Sequence, residues 1–361
     1  MVDLMPGLLI CLMAVQTNQH DGNKNRTKIQ PNTVNPRTFK GDYNDTGTNL
    51  HVKPEDPVTA YTTGVLSTWV IPSSYILSML VGIPSNCYIL AFLRVRLRAQ
   101  SFSTVVLHLN LALSDLLLLL SLSLRVHYHF NGNNWIFGET SCRLITALFY
   151  GNVYCSAQTI ACISLNSYLA VVKPFLYRRL ATKTLAVWTC LVIWLLFGAA
   201  VVPELLVRQS YNIPQLGITT CHDVLPLVEK SHSHLVPYRL MLICLGFITP
   251  FLFCIYAHVA VIYHLGQSAC DWKPFIRVST LVFSIFLVCF LPSGVLHMAH
   301  YIRLFSGGDD SLYGYFRVAV CLCCFHSCLD PFLCMLISKT AASELQFISL
   351  REISQRQAVM T

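Results

Sequence analysis

A few polar residues stand where the surrounding sequence is almost wholly apolar. Asn110 and Asp115 share one long hydrophobic run, Asn152 and Ser156 lie in the next, and Asp330 precedes Pro331 in the last. Charge at such depth in lipid is costly, and where it persists it marks a functional hypothesis. Asp115, Asp330, Asn152 and Ser156 present hard oxygens that suit a small cation such as sodium, or a proton. The same groups also serve as interhelical hydrogen bonds that hold a bundle together, and spacing alone leaves both readings open. His297 and His300 lie one turn apart without a third ligand, which reads as packing or hydrogen bonding rather than zinc. No Ser-His-Asp or His-Glu-x-x-His arrangement occurs, no lysine is deep in a span, and no catalytic residue is assigned. An enzyme is therefore not expected, and no cofactor beyond a structural sodium ion.

The elements that must position these residues follow from composition. Of 361 residues 54% are hydrophobic and only 12% are charged, too few charges to coat two soluble domains. The same balance excludes intrinsic disorder. The net charge of +8 then reports loop topology, not nucleic-acid binding. Most of the 16 cysteines lie inside apolar runs, where a free thiol behaves as a small hydrophobe. The run Cys321, Cys323, Cys324, Cys328 reads the same way, because it sits in a continuous apolar helix with no supporting acids or histidine pair facing it. Cys142 and Cys221 adjoin polar loop sequence and are the natural disulfide candidates.

Seven apolar segments each reach the roughly 20 residues of a membrane helix. They run from Thr68 to Leu93, Val105 to Val126, Ser141 to Val172, Leu185 to Leu206, Leu235 to His264, Val278 to Tyr301, and Leu312 to Ile337. Lipid offers the backbone no partners, so these are helices. The expected fold is an all-α membrane protein: a seven-transmembrane helix bundle over 67–337. A weak signal peptide over 1–17 and a disordered extracellular tail over 18–66 precede it. The tail carries sequons at Asn25 and Asn44. A short amphipathic helix and tail over 338–361 follow, with Leu345, Ile348 and Ile353 on one face.

Loop charge sets the orientation. Arg94, Arg96 and Arg98, then Lys173, Arg178, Arg179 and Lys183, then Lys273 and Arg277 fall in alternate loops. The first opposite loop has no lysine or arginine, and the last pairs Arg303 with Asp309 and Asp310. Positive charge stays inside, so the N-terminus is extracellular and the tail cytoplasmic.

The ordered motifs on these spans resemble the rhodopsin-like (class A) G-protein-coupled receptors. They are Gly82 through Asn86, Leu109-Asn110-Leu111-Ala112-Leu113-Ser114-Asp115, Cys142, Trp194, Pro250, Phe286 with Cys289 and Pro292, and Asp330-Pro331. A narrower family fits better. Cys221-His222-Asp223-Val224-Leu225-Pro226, Phe290 before Leu291-Pro292, and His300-Tyr301 resemble the protease-activated (thrombin) receptors. Asn131 through Glu139 and Leu50-His51-Val52-Lys53 resemble that family's third subtype.

The resemblance implies a mechanism for the tail. Val34-Asn35-Pro36-Arg37 precedes Thr38-Phe39-Lys40-Gly41. A trypsin-like protease requires a basic residue before the bond, thrombin favours proline ahead of it, and proline presents the strand in extended form. Cleavage after Arg37 frees Thr38, and the family uses such an end as a tethered agonist. Tethering makes docking intramolecular, so weak contacts suffice. The expected dock is His222, Asp223 and Leu225 with Tyr301 and Phe316, Lys40 or the new amine meeting Asp223 and Phe39 near the aromatic pair. The implied partners are thrombin or another trypsin-like serine protease, a heterotrimeric G protein, a heteromeric sister receptor and membrane lipid, at the plasma membrane. Asp42-Tyr43-Asn44-Asp45 and Glu55-Asp56 are a poor match to the acidic exosite segment of strong thrombin binders.

The chain also departs from the receptor pattern. The third span ends in Asn166-Ser167-Tyr168, where the family carries arginine in the middle. Serine is short and uncharged and makes no long-reach contact. Cys334 and His258 replace the usual tyrosines, and His326 an asparagine. The alternative expectation is therefore a non-signalling co-receptor or decoy for a related receptor.

Overall fold

The computed structural model describes residues 39–43, 50–51, 57–96, 102–180, 183–226, 238, 241–268, 272–305 and 312–360. The leader at 1–17, Arg37, Thr38 and the sequons at Asn25 and Asn44 lie outside the described residues. A short helix α1 (Pro57–Thr63) leads through a π-turn (Leu66–Val70) into α2 (Ile71–Arg96). Then follow α3 (Phe102–Phe130), α4 (Gly138–Val172), α5 (Pro174–Leu180) and α6 (Lys183–Leu206). A second π-turn (Cys244–Ile248) opens α7 (Thr249–Gly266), and α8 (Lys273–Phe305) and α9 (Tyr313–Met360) complete the bundle.

Seven of these stretches are long and apolar enough to cross a membrane, and they coincide with the seven expected segments. The apolar window of the second span is 61% buried and that of the seventh 56%, against 11% for the fourth. The second and seventh spans therefore form the centre, and the fourth turns Trp188, Leu195 and Leu196 toward lipid. Tyr75, Leu119, Phe149, Tyr313 and Phe316 pack the outer half of the core. Phe247, Phe251, Phe286 and Phe290 pack a second cluster with Cys254, Cys289 and Cys323. Cys321, Cys324 and Cys328 sit in the first cluster as packing residues.

Two features add detail to the expected fold. The short amphipathic helix after Ser338 is not a separate element, because α9 runs through it to Met360. No glycine or proline follows Pro331 there, and Ala, Glu, Leu and Gln carry a helix onward. The tail is not wholly without structure either. Residues 39–43 form strand β1 (Phe39–Tyr43), beside β2 (Leu50–His51). Strands β3 (Ser210–Ile213), β4 (Ile218–Cys221) and β5 (Val224–Pro226) follow α6. They give one two-stranded hairpin, β3-β4, and one three-stranded sheet ordered β2-β1-β5.

Candidate functional site

The loop after α6 is tied to the helices at each corner. Its hairpin pairs Ser210 with Cys221 through Ile213 with Ile218. Gly217 closes the turn at φ +63°, a conformation that disfavours any side chain. Cys221 is bonded to Cys142 on α4, with Cα atoms 5.7 Å apart. Glu139, in the first turn of α4, accepts the N–H groups of Gln209 and Ser210, each at 2.8 Å. Arg143 donates to the same carboxylate at 2.5 Å. A carboxylate at a helix start also answers the helix dipole. On the other side, Thr219 N–H donates to Asn134 Oδ1 at 2.9 Å, and Trp135 N–H to the Thr219 carbonyl at 2.7 Å. The Asn131–Glu139 segment is thus the hairpin's cradle.

His222 then turns the chain out of the hairpin at φ +68°, with Nδ1 2.7 Å from Gln209 Oε1. The turn drops Asp223 into the bundle, fully buried. Tyr313 O–H donates to its Oδ1 at 2.6 Å, and Tyr128 O–H to Oδ2 at 2.9 Å. Arg317, also fully buried, donates through Nε to Tyr61 Oη at 3.3 Å and approaches His129 Nε2 at 3.0 Å. His129 Nδ1 lies 2.7 Å from Asn133 Oδ1, and Asn133 donates to the Thr62 carbonyl at 2.8 Å. Burial alone would raise the Asp223 carboxyl. Arg317, His129, the Tyr313 hydroxyl and Arg125 together outweigh it and hold the group below the usual carboxylate range. Burial likewise pushes the Tyr61 phenol upward.

Of the expected ligand contacts, His222 and Asp223 are therefore interior and already bonded. Leu225 lies in β5 and Tyr301 in α8. Phe316 is buried and stacks on His297 at 4.8 Å. It lines a cavity of about 40 Å³ with Tyr150, Phe247, Ser293 and His297. Phe39, Lys40 and Gly41 pair in parallel with Val224, Leu225 and Pro226.

Sequence reasoning missed Arg125, Arg317, Tyr128, Tyr313 and Glu139. Arg125 is buried on α3 with its guanidinium 4.3 Å from the Phe149 ring. The signal was present: a charge inside an apolar segment, the criterion that singled out Asp115.

The polar residues of the second and third spans meet inside the bundle. Asp115, Asn152 and Ser156 are all buried. Ser156 Oγ is 3.5 Å from Asp115 Oδ1 and 3.3 Å from Asn152 Oδ1, and Asn152 Nδ2 donates to Ser114 Oγ at 2.9 Å. Asp330 is an electrostatic neighbour of Asp115, and its Oδ1 accepts from His326 Nδ1 at 3.0 Å. Asp115 Oδ2 and Asp330 Oδ2 are buried and find no hydrogen-bond partner of ordinary geometry among the described residues. Orphaned hard oxygens beside a hydroxyl and an amide are a donor set that fits a monovalent cation.

At the inner end, Asn166 Nδ2 donates to Thr104 Oγ1 at 2.9 Å and ties the third span to the second. Ser167 Oγ turns back onto its own helix, 3.0 Å from the Ile163 carbonyl. Tyr168 meets Tyr256, ring centres 5.9 Å apart. Ser167 lines a cavity of about 190 Å³ with Ser164, His108, His258, Asp330 and Cys334. Among the described residues that line it there is no lysine or arginine.

Seven spans with a disulfide-pinned outer loop and a buried polar centre describe a seven-transmembrane receptor. Residues 85–333 match the family model "7 transmembrane receptor (rhodopsin family)". Proteinase-activated receptor 3 of Bos taurus is 39% identical over 85% of this chain and 80% of its own length. The Homo sapiens receptor 3 is 40% identical over 82% and 78%. Proteinase-activated receptor 2 of Rattus norvegicus is 34% identical over 88% and 82%. The chain belongs to the proteinase-activated receptors of the rhodopsin family. It is a multi-pass protein of the plasma membrane and a receptor, not an enzyme.

Proposed function

We propose that the receptor is switched on by a trypsin-like protease that cuts between Arg37 and Thr38. The freed Thr38-Phe39-Lys40-Gly41 then acts as a tethered ligand and drives a heterotrimeric G protein. Thrombin is the first candidate because proline precedes the arginine, which places the receptor in coagulation signalling. One observation carries this reading: residues 39–41, the expected ligand, run alongside β5 at the mouth of the bundle. Asp223 is buried and already accepts from Tyr128 and Tyr313, so docking of the ligand's new ammonium on it would rearrange α3 and α9. Asp115, Asn152, Ser156 and Asp330 would hold a sodium ion that stabilises the resting state.

A second reading, a cleavable co-receptor or decoy for a sister receptor, is favoured by the inner cavity. Ser167 is hydrogen-bonded into its own helix, Cys334 lines the same cavity, and no arginine is among the described residues that line it. The test uses cells lacking other family members. An epitope tag stands before Arg37 and a second at the C-terminus, thrombin is added, and tag loss is read with intracellular calcium. Tag loss with calcium supports the signalling receptor. Tag loss alone supports the co-receptor. Retention of the tag, identical to Arg37→Ala, removes thrombin as the protease.

A further inference from the structure

The expected ligand segment has a seat in the intact chain. β1 is the middle strand of its sheet. Its first three residues pair in parallel with β5, Phe39 with Val224, Lys40 with Leu225 and Gly41 with Pro226. Its last two pair in antiparallel fashion with β2, Asp42 with His51 and Tyr43 with Leu50. The edge that receives it is rigid. β5 begins one residue after Asp223, whose carboxylate is held by Tyr313 and Tyr128 inside the bundle. Two residues earlier, Cys221 is bonded to α4. An anchored, unpaired strand edge is a template for an extended peptide, and main-chain hydrogen bonds supply the affinity.

We propose that β5 is a strand-addition site occupied by residues 39–41 before cleavage, and that this docking shields the Arg37–Thr38 bond. The inference rests on the cleavage reading above and adds a regulatory layer to it. The bond lies immediately ahead of the docked strand, with Thr38 the single residue between it and Phe39. A trypsin-like protease takes an extended substrate into its own cleft on both sides of the bond it cuts. Residues 39–41 cannot lie in that cleft and on β5 at once. The two complexes compete, and the protease acts only on the undocked fraction. Its apparent efficiency falls by that fraction. Tethering favours the docked state, because the segment is held near its seat by the chain between β2 and α1. After the cut, the ligand does not search for its site. It is released from one side only, and the new end gains the freedom to move inward.

Disulfide trapping tests the register directly. Paired strands lie about 4.8 Å apart, within the Cα range that a disulfide spans. The full-length chain carries Arg37→Ala, an N-terminal epitope tag and an inserted viral-protease site between β2 and α1. Lys40→Cys with Leu225→Cys should form a bond under mild oxidation, so that the tag stays attached after the inserted site is cut and leaves on reduction. Lys40→Cys with Val224→Cys, shifted by one residue onto the opposite face, should not. Equal trapping in both registers, or in neither, overturns the docking.

The second arm restores Arg37, omits the viral protease, and uses trypsin as the probe. The trapped Lys40→Cys/Leu225→Cys chain should be cut at Arg37 at least tenfold more slowly than the same chain after reduction. Leu225→Pro, which removes a strand donor, should speed the cut several-fold over the parent. Equal rates for trapped and reduced chains overturn the shielding. Register-specific trapping with no signal after cleavage would leave the docking standing and remove the signalling reading. Signalling without register-specific trapping would do the reverse.

Discussion

Asp223 shows how a loop residue becomes a structural fixture. Its position after Cys221 marks it, in sequence, as a ligand contact. The structure buries it, and three helices close on it: Tyr128 from α3, Tyr313 and Arg317 from α9, with Tyr61 from α1 behind Arg317. Removing one partner of a buried charge pair strands the other at a cost of about 3–5 kcal/mol. Arg317→Met should therefore lower the thermal midpoint of the purified receptor sharply. Asp223→Asn added to it should cost much less than the sum of the single changes. Additive losses in that cycle would mean that the two groups do not act as a pair. The pH dependence follows from the sign of the shift. A carboxyl held below its ordinary value contributes stability that is complete above the ordinary range, about pH 4, and that is lost as pH falls through the folded-state value. The gap in thermal midpoint between the parent and Asp223→Asn should stay constant from pH 8 to pH 5 and close only in stronger acid. Closure near pH 6 would assign the effect to an imidazole instead. Asp223 itself was legible as important, but its partners were not. Arg317 lies 94 positions away by number, and only the closed bundle brings the two together.

The long elements were legible because lipid imposes their length, and all seven came out where hydropathy put them. The continuation of α9 was legible in principle from the absence of breakers after Pro331. The β2-β1-β5 sheet was not, since strand pairing between the tail and a loop some 185 residues later leaves no local period. Close approach between helices is equally silent in a single sequence. Gly151 on α4 faces α6, and a Cβ there would meet Phe197 and Val201 at 2.6 Å. Gly198, on α6, has nothing within 4 Å of its own notional Cβ. Gly151→Leu should push α4 off α6 and cost about 1–3 kcal/mol by overpacking. It should also disturb Asn152, the next residue in the polar centre. Gly198→Ala should be neutral or gain up to about 1 kcal/mol of helix stability. Thermal midpoints and surface expression of the two variants check the contrast. Equal effects would mean that the α4–α6 contact is looser than the packing shows.

At the scale of the whole molecule the two ends are built to different standards. The outer end is pinned by a disulfide, a carboxylate that accepts two backbone N–H groups, and a buried aspartate held by two tyrosines in the field of Arg317. The inner end has a cavity of about 190 Å³ lined by Ser167, at the position where the receptor resemblance leads to the expectation of arginine. A ligand shifts a receptor toward its active state only by as much as the two states differ in their contacts. With Ser167 bonded to Ile163 of its own helix and Cys334 in place of a tyrosine, the inner end offers few contacts that an open state would gain. On the co-receptor reading proposed above, the outer end would receive a ligand while the inner end responds weakly. Ser167→Arg tests this asymmetry. Ser167 is exposed and borders an open cavity, so a guanidinium there has room and needs no repacking. We expect the cleaved variant to catalyse guanine-nucleotide exchange on a purified Gq-type heterotrimer at least tenfold faster than the cleaved parent. Cys334→Tyr should add to that gain, and both variants should be cut at Arg37 as fast as the parent. A parent that already exchanges nucleotide as well as the variant would remove the co-receptor reading and show that serine suffices at this position. If neither chain couples while both are cut, the weakness lies above the cavity, in the transmission from the Asp223 anchor to the inner end.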